Sequence, residues 1–426
     1  MRLVSPMAIG LMLAFAGTAG VVTTATAAKK EEAKAPKLSK EFSAPAAAAQ
    51  DLLKANKFDE AKAKLAEAEG FAKTPDEQFN LNVLRLNLGL GLKDTAIQRA
   101  AVEGMLASGG VPAAEVPKYE FFAGDFAMKA NDNDAAIAHF KKAADLGYPG
   151  SAPWVMGAEA NFQKAIGVSQ GNNISPAGKP FVDAGLPMLK KAIEIEKASG
   201  AQVPAGWYNR GFTMAYVTQS PETAEWAKLN LTADPSAKNW RALLRSFQES
   251  NKTLTRGENL DVMRLMAQTG ALESEYDYSE YVDAASKSGL IGEVKSTIEK
   301  GRSTGKLAPA KLAEYYSQAT AGIAKDKGSL PAAEADAGKA ANGKTAAYTA
   351  DAYLGYGDYA KAATLYKLAL QKGGVDVSEV TTRLGIALAL SGDSAGAKSA
   401  FDQVQTGARK TIAGYWSLWL STKQAA

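Results

Sequence analysis

The chain has 426 residues, 46% hydrophobic and 22% charged, enough for two or more domains or one long array of repeats. Its net charge of +4 is spread along the length and leaves no nucleic-acid footprint. No cysteine and a single histidine exclude a thiol nucleophile, a disulfide framework and a Cys/His zinc site.

Residues 1–28 read as a targeting segment. Arg2 supplies a positive start, residues 7–15 (MAIGLMLAF) a short apolar core, and Ala25-Thr26-Ala27 a small-x-small cleavage pattern. An uncleaved anchor needs about 20 consecutive apolar residues, and Thr23, Thr24 and Thr26 interrupt the run. The expected compartment is a bacterial periplasm or the cell exterior, with no stable membrane span after cleavage. Residues 29–41 are charged, lack aromatics and carry Pro36, which predicts a solvated linker. Glu31, Glu32 and Glu41 argue against a polybasic lipid-binding arm.

Residues 42–150 read as helical pairs. The first covers 46–69, with Asn56-Lys57-Phe58 at the turn and Ala61, Leu65 and Ala68 on one face of the second helix. A divergent pair follows over about 77–106. In the third, residues 119–130 form one helix behind Pro117, Asn131-Asp132-Asn133 the turn, and Ala136, Phe140 and Ala143 the next apolar face. His139 reads as a half-exposed surface histidine, because without a partner cluster it supports neither metal binding nor catalysis.

Residues 151–203 form a divergent pair around a polar, Gly/Pro/Asn-rich loop at 167–180, with one helix over 184–199. Residues 204–341 continue the pairs. Trp207 to Gly211 opens one and Pro235 closes it. Trp240, Leu243, Leu244 and Phe247 then fall at i, i+3, i+4 and i+7, a buried stripe. Tyr281, Val282 and Ala285 precede a turn at Gly289, followed by Val294 and Ile298. Residues 312–323 and 332–341 read as one more pair.

The clearest units occupy residues 342–407. One helix ends near Gly355, Gly357-Asp358-Tyr359 turns the chain, and Ala362, Leu365, Tyr366, Ala369 and Leu370 mark the buried face of the next. Gly373-Gly374 stops it. The phrase returns 35 residues on (357 to 392): Gly392-Asp393 stands for Gly357-Asp358, Ala397 for Ala362, Phe401 for Tyr366 and Val404 for Ala369. This period, with small residues at the crossing and one aromatic on the second helix, resembles the tetratricopeptide repeat (TPR) family. The resemblance implies an all-α, right-handed superhelix (solenoid) of antiparallel helix pairs. Residues 408–426 then supply a capping helix. Its Tyr415, Trp416, Leu418 and Trp419 either cap the array or form an exposed docking site.

Several motifs mislead. Residues 338–345 (GKAANGKT) match a phosphate-binding loop, which also needs a buried strand before it. LPAAEADA is helical in propensity, and the span sits at a repeat seam. Two GxSxG spans, 167–171 and 392–396, lack the preceding strand of a nucleophile elbow. Ser303 to Lys306 matches SxxK, but Gly305 breaks the helix that would align them. Gly355-Tyr356-Gly357 lacks a dinucleotide-fold strand, and Glu273, Glu275 and Asp277 form no enclosed carboxylate pair. No catalytic residue, cofactor or metal is expected.

In the family this chain resembles, the first helix of each pair lines a concave groove that holds partner peptides. Tyr208, Phe212, Lys238, Arg241, Arg245 and Tyr276 are the groove candidates here, and Lys238, Arg241 and Arg245 fall at i, i+3 and i+7 as a basic strip. A solvated helix face is the plainer reading of that strip. The Lys/Asn/Arg clamp that some members use for chaperone C-termini is not reproduced, since Asp351 and Ile386 stand on those faces. The expected function is a non-enzymatic, exported scaffold for protein–protein interaction in the cell envelope. The alternatives are an assembly factor that binds peptidoglycan or exopolysaccharide, or a nucleotide-binding or serine-hydrolase enzyme.

Overall fold

The computed structural model describes residues 37–169 and 174–424. The targeting segment, residues 29–36 of the linker, residues 170–173 of the polar loop and residues 425–426 lie outside it. Every regular element among the described residues is an α-helix. In chain order they are α1 (Lys40–Lys54), α2 (Phe58–Phe71), α3 (Pro75–Leu92), α4 (Thr95–Ser108), α5 (Val116–Lys129), α6 (Asn133–Asp145) and α7 (Ala152–Gly167). Next come α8 (Lys179–Ala198), α9 (Ala205–Val217), α10 (Thr223–Ala233), α11 (Ala237–Ser250), α12 (Arg256–Gln268), α13 (Glu275–Lys287) and α14 (Ile291–Ser303). The last six are α15 (Ala313–Lys339), α16 (Lys344–Gly355), α17 (Tyr359–Lys372), α18 (Val377–Ser391), α19 (Ser394–Asp402) and α20 (Gly407–Gln424). Successive helices pack as antiparallel pairs, and each pair packs on the next. None is long and apolar enough to cross a membrane among the described residues.

The turns explain the pairing. The chain reverses at Asn56 and Asn131 with φ of 58° at both, and at Gly357 with φ of 81°. Those positive angles suit Gly and Asn and end the preceding helix. The aspartate that follows caps the next helix: Asp132 accepts from the Ala135 amide and Asp358 from the Lys361 amide. Stop and start thus share two residues. Within pairs the helices approach closely where Gly211 faces Trp226 and Gly385 faces Phe401, leaving no room for a Cβ.

The core changes character along the chain. From α1 to α7 it is three small clusters, each spanning neighbouring helices: one around Phe42 and Leu65, one around Met105 and Phe126, one around Phe140. From α7 onward it is one continuous cluster reaching Leu420. The reason is topological. α12 packs against α18 and α20 as well as against its sequence neighbours, so the C-terminal half closes on itself.

Three expectations are corrected here. Residues 312–323 and 332–341 are not a pair: α15 is one helix of 27 residues with Pro331 inside it. Its buried positions Ala319, Leu330 and Ala337 are three and two helical turns apart, so a single stripe runs through the proline. Gly328 and Pro331 face solvent, and nothing there demands a turn. Tyr356, at the C-cap of α16, and Tyr353, within α16, donate to Asp326 at 2.5 Å and Glu334 at 3.0 Å, holding α15 on both sides of that point. The apolar docking reading of the last helix also fails, because Tyr415, Trp416 and Trp419 are buried. The linker is shorter than expected, since α1 begins at Lys40 behind a Ser39 cap.

Candidate functional site

The centre of the C-terminal half is a buried charge cluster on α12. Asp261 is fully buried, and its carboxylate accepts from Arg264 at 2.7 Å and from Arg409 at 2.7 Å, with Arg383 at 3.4 Å. Trp416 donates its indole N–H to the Asp261 carbonyl at 3.2 Å. Each arginine also meets a second carboxylate. Arg264 forks onto Glu293 at 2.8 and 2.7 Å, Arg383 reaches Asp351 at 2.9 Å, and Arg383 and Arg409 reach Glu379 at 2.7 and 3.1 Å. Tyr281 donates to Glu293 at 2.6 Å and Tyr366 to Asp351 at 2.6 Å.

Buried charges persist only when paired and hydrogen-bonded, and this cluster satisfies that demand. Burial pushes the Asp261 carboxyl up, but Arg383, Arg264 and Arg409 pull it down to about 2. Burial, reinforced by Glu293 and Asp351, holds the Tyr281 and Tyr366 phenols well above their ordinary range. These groups are locked in one protonation state near neutrality. The cluster is therefore a clasp between α12, α18 and α20. Gly257 belongs to it: a Cβ there would lie 2.6 Å from Glu379 Oε1 and 3.0 Å from Arg383 Nη2.

Beside the clasp lies a cleft of about 800 Å³ bordered by α12, α13, α14, α15 and the end of α16. Arg264 and Glu293 belong to both. Tyr278, Tyr356 and Tyr359 supply ring faces, and the border carries five cations against two carboxylates. Glu299 takes Lys295, and Glu273 takes Lys306 at 2.6 Å. Lys327 sits 4.8 Å from the Tyr356 ring centre, and Lys300 forms no ion pair among the described residues. The cleft is thus open, aromatic and electropositive.

The groove candidates fall elsewhere. Tyr208 and Phe212 are buried in the core, Tyr208 beneath Lys197 and Phe212 against Tyr216. Arg241 and Arg245 both bond the buried Asp277, and Arg245 reaches Glu280 at 2.8 Å. Burial raises the Asp277 carboxyl, but Arg245, Arg241 and two backbone amides bring it down to about 2. The basic strip therefore ties α11 to α13. Lys238 is exposed, and so is Tyr276 at 70%, with Arg245 5.5 Å from its ring centre.

His139 has a partner after all: its Nδ1 lies 2.7 Å from the buried Glu120, which Lys142 also reaches at 2.5 Å. The phosphate-loop look-alike joins the end of α15 to the start of α16, with no strand before it. Its Gly343 amide donates to Gly373 at 2.8 Å, and Lys372 covers the Gly338 and Ala340 carbonyls at 2.8 and 2.7 Å. The second GxSxG span is the α18–α19 turn.

Sequence reading missed α12 and with it Asp261 and Arg264. A usable signal was present: LDVMRLM sets Asp and Arg three apart inside an otherwise apolar run, and TTRLGIALAL does the same for Arg383. Such charges are buried in the interior and need partners.

The chain matches no protein-family model and no curated protein. It is similar to solved helical-repeat structures. The TPR2AB domain of yeast Sti1, in complex with pHSP90, is 16% identical over 73% of this chain and 97% of that one, with a TM-score of 0.24. The C-terminal part of a TPR repeat-containing protein from Cytophaga hutchinsonii is 13% identical over 79% and 98%, at 0.29. Yeast Tom70 is 10% identical over 91% and 96%, at 0.25. These superpositions are loose, and the fold assignment rests on the helix pairs of the chain itself.

Proposed function

We propose that the protein is a non-enzymatic helical-repeat scaffold that holds an acidic segment of a partner protein in the cleft beside the clasp. The observation that carries this reading is the cleft itself, with its excess of cations over carboxylates and its tyrosine faces. Lysines and arginines recognise carboxylates, and aromatic faces pack the intervening chain. The clasp fixes the position of Arg264 and Glu293, so the cleft presents a rigid wall. The targeting pattern in residues 1–28 supports an exported scaffold acting in the cell envelope.

A peptide array probed with the purified chain tests the reading. Acidic peptides should be retained, and the double reversal Lys300→Glu with Lys327→Glu should abolish retention without changing helix content. Retention indifferent to peptide charge, or unchanged by the reversal, would remove the cleft from the account.

A further inference from the structure

We propose that Arg409 on α20 sets the affinity of the basic cleft from outside it, by keeping Arg264 on Glu293, a positioning role that rests on the peptide reading of that cleft. Glu293 borders the cleft and, if bare, would repel an acidic segment. It is covered. Arg264 forks onto both of its oxygens at 2.8 and 2.7 Å, and Tyr281 donates to one of them at 2.6 Å. The wall there is neutral only while that cover holds.

Arg264 has a second claimant. Its Nη1 donates to Asp261 Oδ1 at 2.7 Å, one turn back on α12. The other oxygen, Oδ2, takes Arg409 Nη1 at 2.7 Å, while Arg383 Nε stands 3.4 Å from both. Asp261 and Arg409 are buried, and among the described residues no part of α20 borders the cleft. Without Arg409, a fully buried carboxylate oxygen loses its one close donor, and such a loss is costly. Glu379, the second partner of Arg409, keeps Arg383 at 2.7 Å. Asp261 has Arg264, already on its first oxygen, whose planar fork turns to serve both. Glu293 is then uncovered and repels the ligand. α20 is the last helix, and terminal elements open locally at low cost. Docking of α20 and affinity of the cleft are therefore coupled, and by reciprocity a bound acidic segment holds α20 down by the same factor.

Calorimetry with hexaglutamate on the full chain tests the coupling. Arg409→Gln should weaken binding roughly ten-fold, inside the usual range for linked sites. Adding Asp261→Asn should restore most of the affinity, because the competing carboxylate is gone and Arg264 returns to Glu293. Mere loosening of the C-terminal half predicts the reverse, a double variant that binds no better than the single one, and that result would overturn the proposal. Hydrogen exchange on the wild-type chain gives a readout free of any variant. Hexaglutamate should slow exchange on α14 and α20 together. Slowing on α14 alone would break the coupling and leave the peptide reading standing. Hexaglutamate that binds nowhere on the wild-type chain would remove the peptide reading, and the coupling with it.

Discussion

The two halves of this chain solve the same problem differently. From α1 to α7, each helix pair buries its face on its neighbours, and the polar links are short in sequence. Arg99 to Asp132 at 2.6 Å and Glu120 to His139 are typical. From α12 to α20, links span 122 to 155 residues and converge on one aspartate. A linear array gains stability unit by unit. A closed array makes its first and last members depend on each other. The same repeat therefore gives an open, separable N-terminal half and a cooperative C-terminal half whose interior holds the basic cleft.

The comparison breaks most visibly at Asp261. Asp261→Ala leaves three buried arginines short of a partner and should cost about 3–5 kcal/mol, the penalty for removing one member of a buried ion pair. Urea denaturation followed by circular dichroism should then resolve two transitions, the C-terminal half melting first. Tyr366→Ala empties a fully buried site and removes one hydrogen bond to Asp351, for about 3–5 kcal/mol in the same half. An equally large loss from Phe140→Ala that also spread to α20 would erase the distinction between the halves.

Acid should act on the clasp selectively. Asp261 has a folded pKa of about 2 against an ordinary value of 3.8, so its stabilisation is present above about pH 4 and is lost as pH falls toward 2. The difference is worth about 2 kcal/mol. Asp261→Asn should flatten that part of the stability profile between pH 4 and 2, measured by melting temperature; a profile parallel to wild type would contradict the assignment. The smallest effect is expected at Gly357, where φ of 81° disfavours a side chain although the nearest atom to a Cβ, Tyr359 Oη, is 3.9 Å away. Gly357→Val should cost about 1–2 kcal/mol from backbone strain alone.

That last case shows what the sequence made legible. The Gly-Asp turns, the buried aromatics Phe140, Tyr366 and Phe401 and the pairing itself are readable, because they are local and repeat. Gly357 stands at a turn as the sequence predicts, and the constraint there is the backbone angle, not crowding. The seam at α15 was misread because Gly328 and Pro331 are breakers by habit, and only their solvent exposure and the two tyrosine contacts from α16 let the helix continue. The groove candidates were chosen by helical face, which cannot reveal that Asp277, one helix away, consumes Arg241 and Arg245. The basic cleft was invisible for a related reason. Its lysines lie on α14, α15 and the intervening loop, and only the packing of α12 to α16 against one another brings the walls together.

Native-state hydrogen exchange on Asp261→Asn tests the closure most directly. The account predicts that protection falls together across residues 256–424, including α18 and α20, while residues 40–145 exchange as in wild type. Loss confined to α12 and its immediate neighbours α11 and α13 would show that the clasp closes nothing, and that the C-terminal half is as linear as the N-terminal one.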